Sequence, residues 1–415
     1  MIIKLTYIVL LLLMLFVLYH SGIKLQKKYK IWSGAGLLAI LVYTLNEGLR
    51  FGRGIDYNNA GIGYERYASY SNATIDNYVG YELLVRTLVN LDVPWQGAVM
   101  LMSFLFIVGL LYLMRSLKEV VPFALPLFVL VSSGTVENLL KWYLAFSFFM
   151  IGLSYQIANL DKLNKKFVIF SCVGILFHIA FAPIPIIFYL LIKLKKPLLP
   201  PFWSILLFFA IAFLFQASFM LNFVELVNAA AIFSDRFEHY SEDAEMWLTQ
   251  GFGGRTTVAF PGYSETLFLM VVTLFGYKSV KLMGQKYISI YNLFLIGFLL
   301  KPIANLIPVL LRLDYVFFFF RAVVFACILQ VIYKEKKVFL RPLFLHAVLL
   351  IFFIWTFSFV RAPITGVPER FLYVWNKGNL SYEDMLVIHS EHLDKTSESR
   401  KQKNNDNNLF NLFNE

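Results

Sequence analysis

Residues 97–114, G-A-V-M-L-M-S-F-L-F-I-V-G-L-L-Y-L-M, form an apolar run of 18 residues without a single charge. A helix needs about 20 mainly apolar residues to cross the ~30 Å hydrocarbon core of a bilayer, so this run is typical of a membrane span. Similar runs recur on both sides of it. We predict twelve spans in all, at approximately 3–21, 31–49, 97–114, 120–133, 139–157, 167–181, 183–193, 201–220, 265–281, 288–309, 316–333 and 343–360.

The composition of the whole chain agrees with a membrane protein. Of its 415 residues, 59% are hydrophobic and only 15% are charged, whereas soluble domains have about one quarter charged residues. Cys172 and Cys327 both lie inside apolar runs, which favours packing over a disulfide or a zinc site. The first apolar run, at about residues 3–21, resembles the core of a signal peptide. No small-residue cleavage site follows it, so we interpret this run as an uncleaved membrane span. The sequence therefore predicts an all-α integral membrane protein.

Two of the predicted spans, 120–133 and 183–193, are short for a full crossing. Each contains two prolines, which are tolerated where neighbouring helices satisfy the freed backbone groups. We expect both to be broken, or to lie among other helices rather than against lipid. They are Pro122 and Pro126 in the first, and Pro183 and Pro185 in the second.

Basic residues between the spans predict the orientation. Six alternate connections hold 19 basic residues, 17 of them lysine, and the other connections hold about eight. Lysine and arginine accumulate in cytoplasmic loops, so the lysine-rich connections are expected inside and both termini outside. Because the basic residues lie in short clusters between apolar runs, the net charge of +11 indicates membrane topology and not a nucleic-acid surface.

This orientation divides the chain into three parts. Residues 1–360 form the predicted transmembrane domain, with large non-cytoplasmic loops at about 50–96 and 221–264. Residues 361–392 form an outer C-terminal segment. Residues 393–415 are polar and expected to be disordered. Since the cytoplasmic connections are short, we expect any chemistry on the outer face.

The predicted outer connections are rich in arginine. Seven of their eight basic residues are arginine, and Lys141 is the exception. Arginine offers a planar fork that binds phosphate or carboxylate through two hydrogen bonds. Pairing with acidic residues of the same loops is the simpler alternative. The arginines are Arg50, Arg53, Arg66, Arg86, Arg236, Arg255 and Arg312.

The most distinctive local motif is R-F-G-R-G-I-D-Y at residues 50–57, directly after the second span. Its glycines permit a tight turn with room for a ligand. Arg50 and Arg53 stand where charge is expensive and often marks a site, and Asp56 could accept a proton from a hydroxyl group. The alternative is an interfacial cap in which the arginines reach for water and Asp56 pairs with one of them.

Other candidates stand where loops meet spans. Residues 80–84, G-Y-E-L-L, place Tyr81 and Glu82 before the third span, in a loop whose tyrosines suit either sugar stacking or an ordinary interface belt. Lys141, His178 and Arg321 lie in or at the ends of spans, where ionisable groups are costly. Internal pairing of Arg321 with Asp314 is an alternative to a functional role. His178 could equally be a hydrogen-bonded packing residue.

Together these features resemble the EpsG family of bacterial exopolysaccharide-biosynthesis membrane proteins, which are related in role to Wzy-like repeat-unit polymerases. The resemblance rests on R-F-G-R-G-I-D-Y, on G-Y-E-L-L, on the polar start of the fifth span, on Phe177-His178 and on the arginine-led eleventh span. The resemblance covers most of residues 1–380, both in the hydropathy of the segments and in their order along the chain. Where the family pattern leads us to expect Arg-Gln, this chain has Lys141-Trp142.

The resemblance implies a GT-C-like polymerase architecture in the bacterial plasma membrane. It also implies an inverting glycosyltransferase without metal or other cofactor, which joins undecaprenyl-diphosphate-linked oligosaccharides on the outer side of the membrane. A chain-length regulator protein is a candidate partner. The catalytic candidates are Asp56, Glu82 and His178. The candidates for binding the lipid-linked substrate are Arg50, Arg53, Tyr57, Tyr81, Lys141, Arg255, Arg312 and Arg321.

Two other classes of protein remain open. A transporter or flippase of lipid-linked or anionic saccharides would also use arginines, but it should show broken helices at mid-depth. An acyl-transfer enzyme or a non-catalytic assembly partner is the third class. The candidate charged groups lie in the outer connections or toward the outer ends of the spans, which favours the polymerase.

Overall fold

The computed structural model describes residues 2–69, 78–136, 138–214, 263–306, 308–334, 346, 348–357 and 368–392. Arg236, Arg255, most of the predicted loop 221–264 and the tail 393–415 lie outside the described residues. In the described part the chain is helical, and its only strand-like feature is an isolated antiparallel bridge between Arg50 and Tyr373.

We number the described helices in chain order. The first ten are α1 Ile2–Lys27, α2 Gly34–Gly48, α3 Ile55–Ser69, α4 Val79–Asn90, α5 Trp95–Ser116, α6 Val121–Val136, α7 Leu140–Ala158, α8 Lys165–Phe177, α9 Pro183–Ile192 and α10 Pro201–Leu214. The next five are α11 Tyr263–Met283, α12 Gln285–Leu306, α13 Pro308–Phe318, α14 Arg321–Lys334 and α15 Val348–Phe357. A last helix, α16, covers 382–392.

Helix α1 shows why these helices suit a bilayer. One face, which includes Leu11, Met14 and Leu18, is buried against the rest of the protein. The opposite face is also apolar, yet Leu12 and Phe16 are more than half exposed. A helix that is apolar all round needs an apolar solvent on its open side, and lipid supplies one.

The helices pack into one bundle around a continuous apolar core. Helix α7 lies between α5 and α8, while α1 contacts α2 and α6. Helix α14 contacts α6 and α11, and α12 contacts α13. A smaller aromatic cluster joins α3, α4, the start of α5 and the C-terminal segment. This second cluster surrounds the motif at residues 50–57.

Each of the twelve predicted spans contains a helix. Within the described residues, however, five helical stretches are both long and apolar enough to cross a membrane, at Ile2–Lys27, Trp95–Ser116, Glu265–Met283, Gln285–Ala304 and Arg312–Lys334. The last of these stretches joins the end of α13 to α14. Several others are shorter. Helix α9 has 10 residues, which gives a length of about 15 Å, half the ~30 Å hydrocarbon core. The fold is that of a helical membrane protein, and twelve full crossings stay a prediction.

Neither of the two proline-containing runs is itself broken, since α6 continues through Pro126 and α9 runs from Pro183 to Ile192. The break lies just before α9, where the predicted spans 167–181 and 183–193 meet. Helix α8 ends at Phe177, and His178 adopts an extended conformation (φ −157°, ψ 106°). A short 3₁₀ segment at Ile179–Phe181 follows, and Pro183 then opens α9. Proline suits the first turn of a helix because its missing N–H would have no partner there. The break places His178 at a helix end, where its side chain can face a cavity.

Candidate functional site

A cavity of about 280 Å³ lies where α3, α4, α7, the end of α8 and α13 meet. Its described lining mixes aromatic rings with charged groups and amides. Five residues predicted from the sequence contribute to it: Asp56, Tyr81, Lys141, His178 and Arg312. The other lining residues include Asn59, Tyr64, Tyr78, Asn138 and Trp142. The fold therefore gathers polar residues that are up to 256 positions apart in the sequence.

Asp56 reaches the cavity because the preceding turn is tight. Gly52 has φ +66° and Gly54 has φ +153°, conformations that side chains with a Cβ rarely adopt. Helix α3 then begins at Ile55 and places Asp56 in its first turn, where a negative charge is favoured by the helix dipole. The Asp56 backbone N–H donates to Asn138 Oδ1 at 3.0 Å. Asn138 thereby ties the start of α3 to the chain just before α7.

Asp56 faces a cation across the cavity. Its Oδ2 lies 3.5 Å from Arg312 Nη2, and the two side chains are 43% and 38% exposed. Half-exposed ion pairs at this separation contribute little to stability, roughly 0–1 kcal/mol. Neither partner is therefore held tightly by the other, and both can turn to a ligand.

His178 lies in an aromatic setting. Its ring stacks on Tyr78 with centroids 4.5 Å apart, and its Nε2 lies 3.4 Å from the Tyr78 hydroxyl oxygen. Trp142 meets the same ring edge-on at 4.9 Å. His178 is only 6% exposed, so packing accounts for most of its surroundings, although part of it lines the cavity. This geometry accommodates both alternatives considered from the sequence, a packing residue and a base.

Lys141 stands over the ring of Tyr81, with Nζ 4.9 Å from the ring centroid. Such cation–π contacts are worth about 0.5–1 kcal/mol at partly exposed sites. They also hold a flexible lysine in one place. Lys141 and Arg312 together supply two positive charges to the lining.

Arg50 is placed differently from its predicted role. It is fully buried, with Nη1 2.9 Å from Glu47 Oε2, and its guanidinium lies 4.8 Å from the centre of the Tyr7 ring. Tyr57, also buried, donates its hydroxyl hydrogen to Arg50 O. Neither residue belongs to the described lining of the cavity. In this structure both residues stabilise the turn at residues 50–57 through contacts outside the cavity.

Arg53 also points away from the cavity. Its Nη1 donates to Arg370 O at 2.7 Å and its Nη2 to Leu372 O at 3.1 Å. Both acceptors belong to the C-terminal segment. The alternative in which Asp56 pairs with an arginine is therefore present, but its partner is Arg312 and not Arg53.

Glu82 and Arg321 lie outside the described lining of the cavity, the first on α4 and the second at the start of α14. Glu82 accepts from Arg86 Nε at 2.9 Å, four residues along the surface of α4. Arg321 is buried in the bundle, 3.6 Å from Glu265 Oε1, with its guanidinium 3.7 Å from the centre of the Phe318 ring. Asp314, suggested as its partner, lies instead 3.8 Å from Lys301 Nζ. None of these side chains belongs to the described lining of the cavity.

Three polar or aromatic residues of this site illustrate what sequence reasoning missed. Asn138 lies in the short connection before α7, Asn59 one turn after Asp56, and Trp142 beside Lys141. Asparagine is common in connections, so no local pattern marked Asn138. Its role follows only from the contact with Asp56 N, 82 residues earlier. Among the described residues, no group of three or more His, Cys, Asp or Glu is arranged to hold a metal ion.

Comparison with known proteins gives one family match. The model of the EpsG family matches residues 35–367, a range that contains every residue of the cavity described above. No curated protein and no solved structure gives a significant match to the chain. Because the family model covers well over half of the 415 residues, the resemblance seen in the motifs is confirmed, and the chain belongs to the EpsG family.

Proposed function

We propose that the protein is a surface-polysaccharide polymerase that joins lipid-diphosphate-linked oligosaccharides on the outer side of the bacterial plasma membrane. Membership of the EpsG family supports a polymerase-like membrane protein of exopolysaccharide synthesis. The observation that carries the finer proposal is the cavity, which combines a carboxylate, two cations and several aromatic rings.

The cavity suits a saccharide in size and lining. Its volume of about 280 Å³ is close to the lower end of the ~300–1,000 Å³ usual for small-molecule sites. Tyr81 and Trp142 are almost fully buried, and each contributes ring atoms to the cavity wall, against which the apolar face of a sugar can pack. Asn59 and Asn138 offer amide groups that can hydrogen-bond to sugar hydroxyls.

The charged groups suit displacement of a diphosphate. The donor would be a saccharide on undecaprenyl diphosphate, and the acceptor a hydroxyl group of a second lipid-linked unit. Asp56 accepts the hydroxyl proton while the acceptor oxygen bonds to the anomeric carbon of the donor. The bond from that carbon to the diphosphate oxygen breaks, and the electron pair leaves with the lipid diphosphate. A single displacement of this kind inverts the anomeric configuration.

Fixed cations meet the charge that develops on the leaving group. Lys141 and Arg312 are the two described cations that line the cavity, and positioned charges of this kind commonly supply a large share of catalysis. Arg255 stays a further candidate from the sequence. His178 is the second candidate base, and Arg50, Arg53 and Tyr57 are proposed to act by holding the turn.

The position of the cavity along the chain supports the outer side. Its lining comes from 56–64, 78–85, 138–142, His178 and Arg312. All of these lie in, or at the ends of, connections predicted to be non-cytoplasmic, and none lies in a lysine-rich connection. If one of the predicted spans did not cross the membrane, some of these residues would lie on the opposite face of the membrane from the others. Their meeting in one cavity supports the alternation from which the orientation was predicted.

A transporter or flippase of lipid-linked saccharides is the second candidate. It is favoured by the break at His178, by Pro302 inside α12 and by the buried pair of Lys301 and Asp314. Broken helices and buried charges are typical of transport pathways. Transport leaves the saccharide chain unchanged, whereas polymerisation lengthens it.

Elongation in a purified system separates these two functions. We expect the protein, reconstituted in liposomes with lipid-diphosphate-linked repeat units, to produce longer chains without ATP or an ion gradient. The bond to the diphosphate supplies the driving force. Products are measured by size after release from the lipid. Movement of units across the bilayer without any chain longer than one repeat would favour the transporter.

A further inference from the structure

The C-terminal segment 368–392 lies beyond the family match, which ends at residue 367. It nevertheless pairs with the turn of the R-F-G-R-G-I-D-Y motif. The Phe51 N–H donates to Leu372 O at 3.0 Å, and the Val374 N–H donates to Leu49 O at 3.0 Å. These bonds flank the bridge between Arg50 and Tyr373. The segment thus adds a short strand-like partner to the turn.

Side chains reinforce this pairing on both sides. Arg53 donates to two carbonyl oxygens of the segment, those of Arg370 and Leu372. In the other direction, the Tyr373 hydroxyl donates to Asn46 Oδ1 at 2.9 Å. Tyr373 is fully buried, so its contacts are shielded from water. The attachment is therefore stronger than two exposed backbone bonds would give.

His389 makes the most remote of these contacts. From α16 its Nε2 lies 2.6 Å from Gly52 O, a separation of 337 residues in sequence. His389 is 4% exposed. Its neighbour Met385 packs over the same glycine, leaving no room for a side chain there. The carbonyl that receives this hydrogen bond belongs to the residue with φ +66°.

The location of this bond matters because Gly52 determines where Asp56 points. A glycine at positive φ has many accessible conformations, and the native one persists only when its surroundings hold it. Gly54 O, two residues on, accepts from the Asn58 N–H at 3.0 Å and so begins α3. A rotation at Gly52 would move the first turn of α3, and with it Asp56.

We propose that His389 is a positioning residue that holds the Gly52 peptide, and through it Asp56, in the geometry needed for glycosyl transfer. This inference rests on the proposed function for its catalytic consequence. The positioning itself is a property of the turn and can be measured without any substrate.

The charges around His389 predict a pH dependence. Burial lowers the pKa of His389 from its usual 6.5. The hydrogen bond to Gly52 O opposes this shift, and the nearby positive groups add to it, so that the pKa is lowered overall. The groups facing it are Arg53 from the turn, Arg370 from the 3₁₀ segment and His392 from its own helix. Because the docked state disfavours the protonated ring, docking is strongest above pH 6.5 and weakens as the pH falls below that value.

The test compares His389→Leu with His389→Gln in the full-length protein. Leucine removes the donor, whereas the glutamine side-chain N–H can replace it. We expect His389→Leu to lower hydrogen-exchange protection of the Phe51 and Val374 amides about tenfold, which corresponds to one buried hydrogen bond. Protection within residues 97–114 should stay unchanged. His389→Gln should restore protection and should lack the decline that we expect for the wild type below pH 6.5.

Ser390→Leu is the matched control, since it adds the same side chain at the adjacent exposed position. It should leave the turn protected. Wild-type protection of the turn in His389→Leu, or equal losses in the leucine and glutamine variants, would overturn the inference. Elongation is measured in parallel, and we expect the turnover rate of His389→Leu to fall with protection. A wild-type protein that elongates nothing while the protection differences persist would refute the polymerase and leave the positioning of the turn intact.

Discussion

Asp56→Asn is expected to slow chain elongation by roughly 10²–10⁴-fold, the contribution typical of a general base. The substitution keeps the size of the side chain and the backbone N–H that donates to Asn138 Oδ1. It removes the proton-accepting carboxylate. Because Asp56 is half-exposed and its pair with Arg312 is long, the loss of charge costs little stability. Elongation in liposomes, measured as the initial rate of chain growth, reports the effect.

Glu65→Gln is the matched control for this experiment. Glu65 lies nine residues later on the same helix, is exposed, and is outside the described lining of the cavity. The same change of charge there should leave the rate within about twofold of wild type, as expected for a surface substitution. An Asp56→Asn variant that elongates as fast as Glu65→Gln would remove Asp56 from the mechanism and leave His178 as the candidate base.

Glu47→Ala is expected to lower the free energy of unfolding by roughly 3–5 kcal/mol, the usual cost of leaving a buried charge without its partner. Glu47 is 5% exposed and Arg50 is fully buried, with 2.9 Å between their charged atoms. After the change the Arg50 guanidinium stays fully buried and has lost this carboxylate. The measurement is unfolding of the purified protein in detergent, followed by its helical signal.

A second Glu–Arg pair provides the comparison. Glu82 and Arg86 lie four residues apart on α4, with side chains 30% and 41% exposed. Glu82→Ala should therefore cost less than about 1 kcal/mol. Combining Glu47→Leu with Arg50→Leu should recover more than half of the loss, because no buried charge then remains. Equal effects of Glu47→Ala and Glu82→Ala would show that Arg50 reaches water or another anion.

Much of the fold could be predicted because hydropathy alone determines where membrane helices form. Each predicted apolar run contains a helix, but the break lies between two predicted spans and not inside the proline-containing runs, where it was expected. The length of each helix was harder to predict from the sequence. Helix α9 is about half the hydrocarbon thickness, and residues buried among other helices need not be as apolar as a lone span. Hydropathy does not distinguish such a helix from a full crossing.

The residues of the cavity could likewise be predicted only in part. Asp56, Lys141, His178 and Arg312 could be found because a charge or imidazole at the end of an apolar run is unusual. Arg50 carries the same signal, yet it is buried against Glu47. The pairing of Arg50 with Glu47 could have been predicted from the sequence, since residues three apart are neighbours on a helix. Sequence position shows that a charge needs a partner, but it does not say whether the partner is a ligand.

The contacts that hold the turn could not be predicted from any local pattern. Arg53 pairs with residues 317 and 319 positions away, and His389 with one 337 positions away. The segment that provides them is polar enough to resemble an ordinary tail. The acceptors are backbone carbonyls, two of the segment for Arg53 and that of Gly52 for His389, and every residue type offers a carbonyl. Such contacts depend on the path of the chain after the last helix of the bundle.

Photocrosslinking from the cavity wall tests the central claim most directly. A photoreactive amino acid at Asn59, an exposed residue that lines the cavity, should capture a radiolabelled lipid-diphosphate-linked saccharide, and unlabelled substrate should compete. The same probe at Glu65, exposed on the same helix but outside the described lining, should capture far less. Equal labelling at the two positions, or labelling that excess substrate does not reduce, would contradict the assignment of this cavity as the saccharide site.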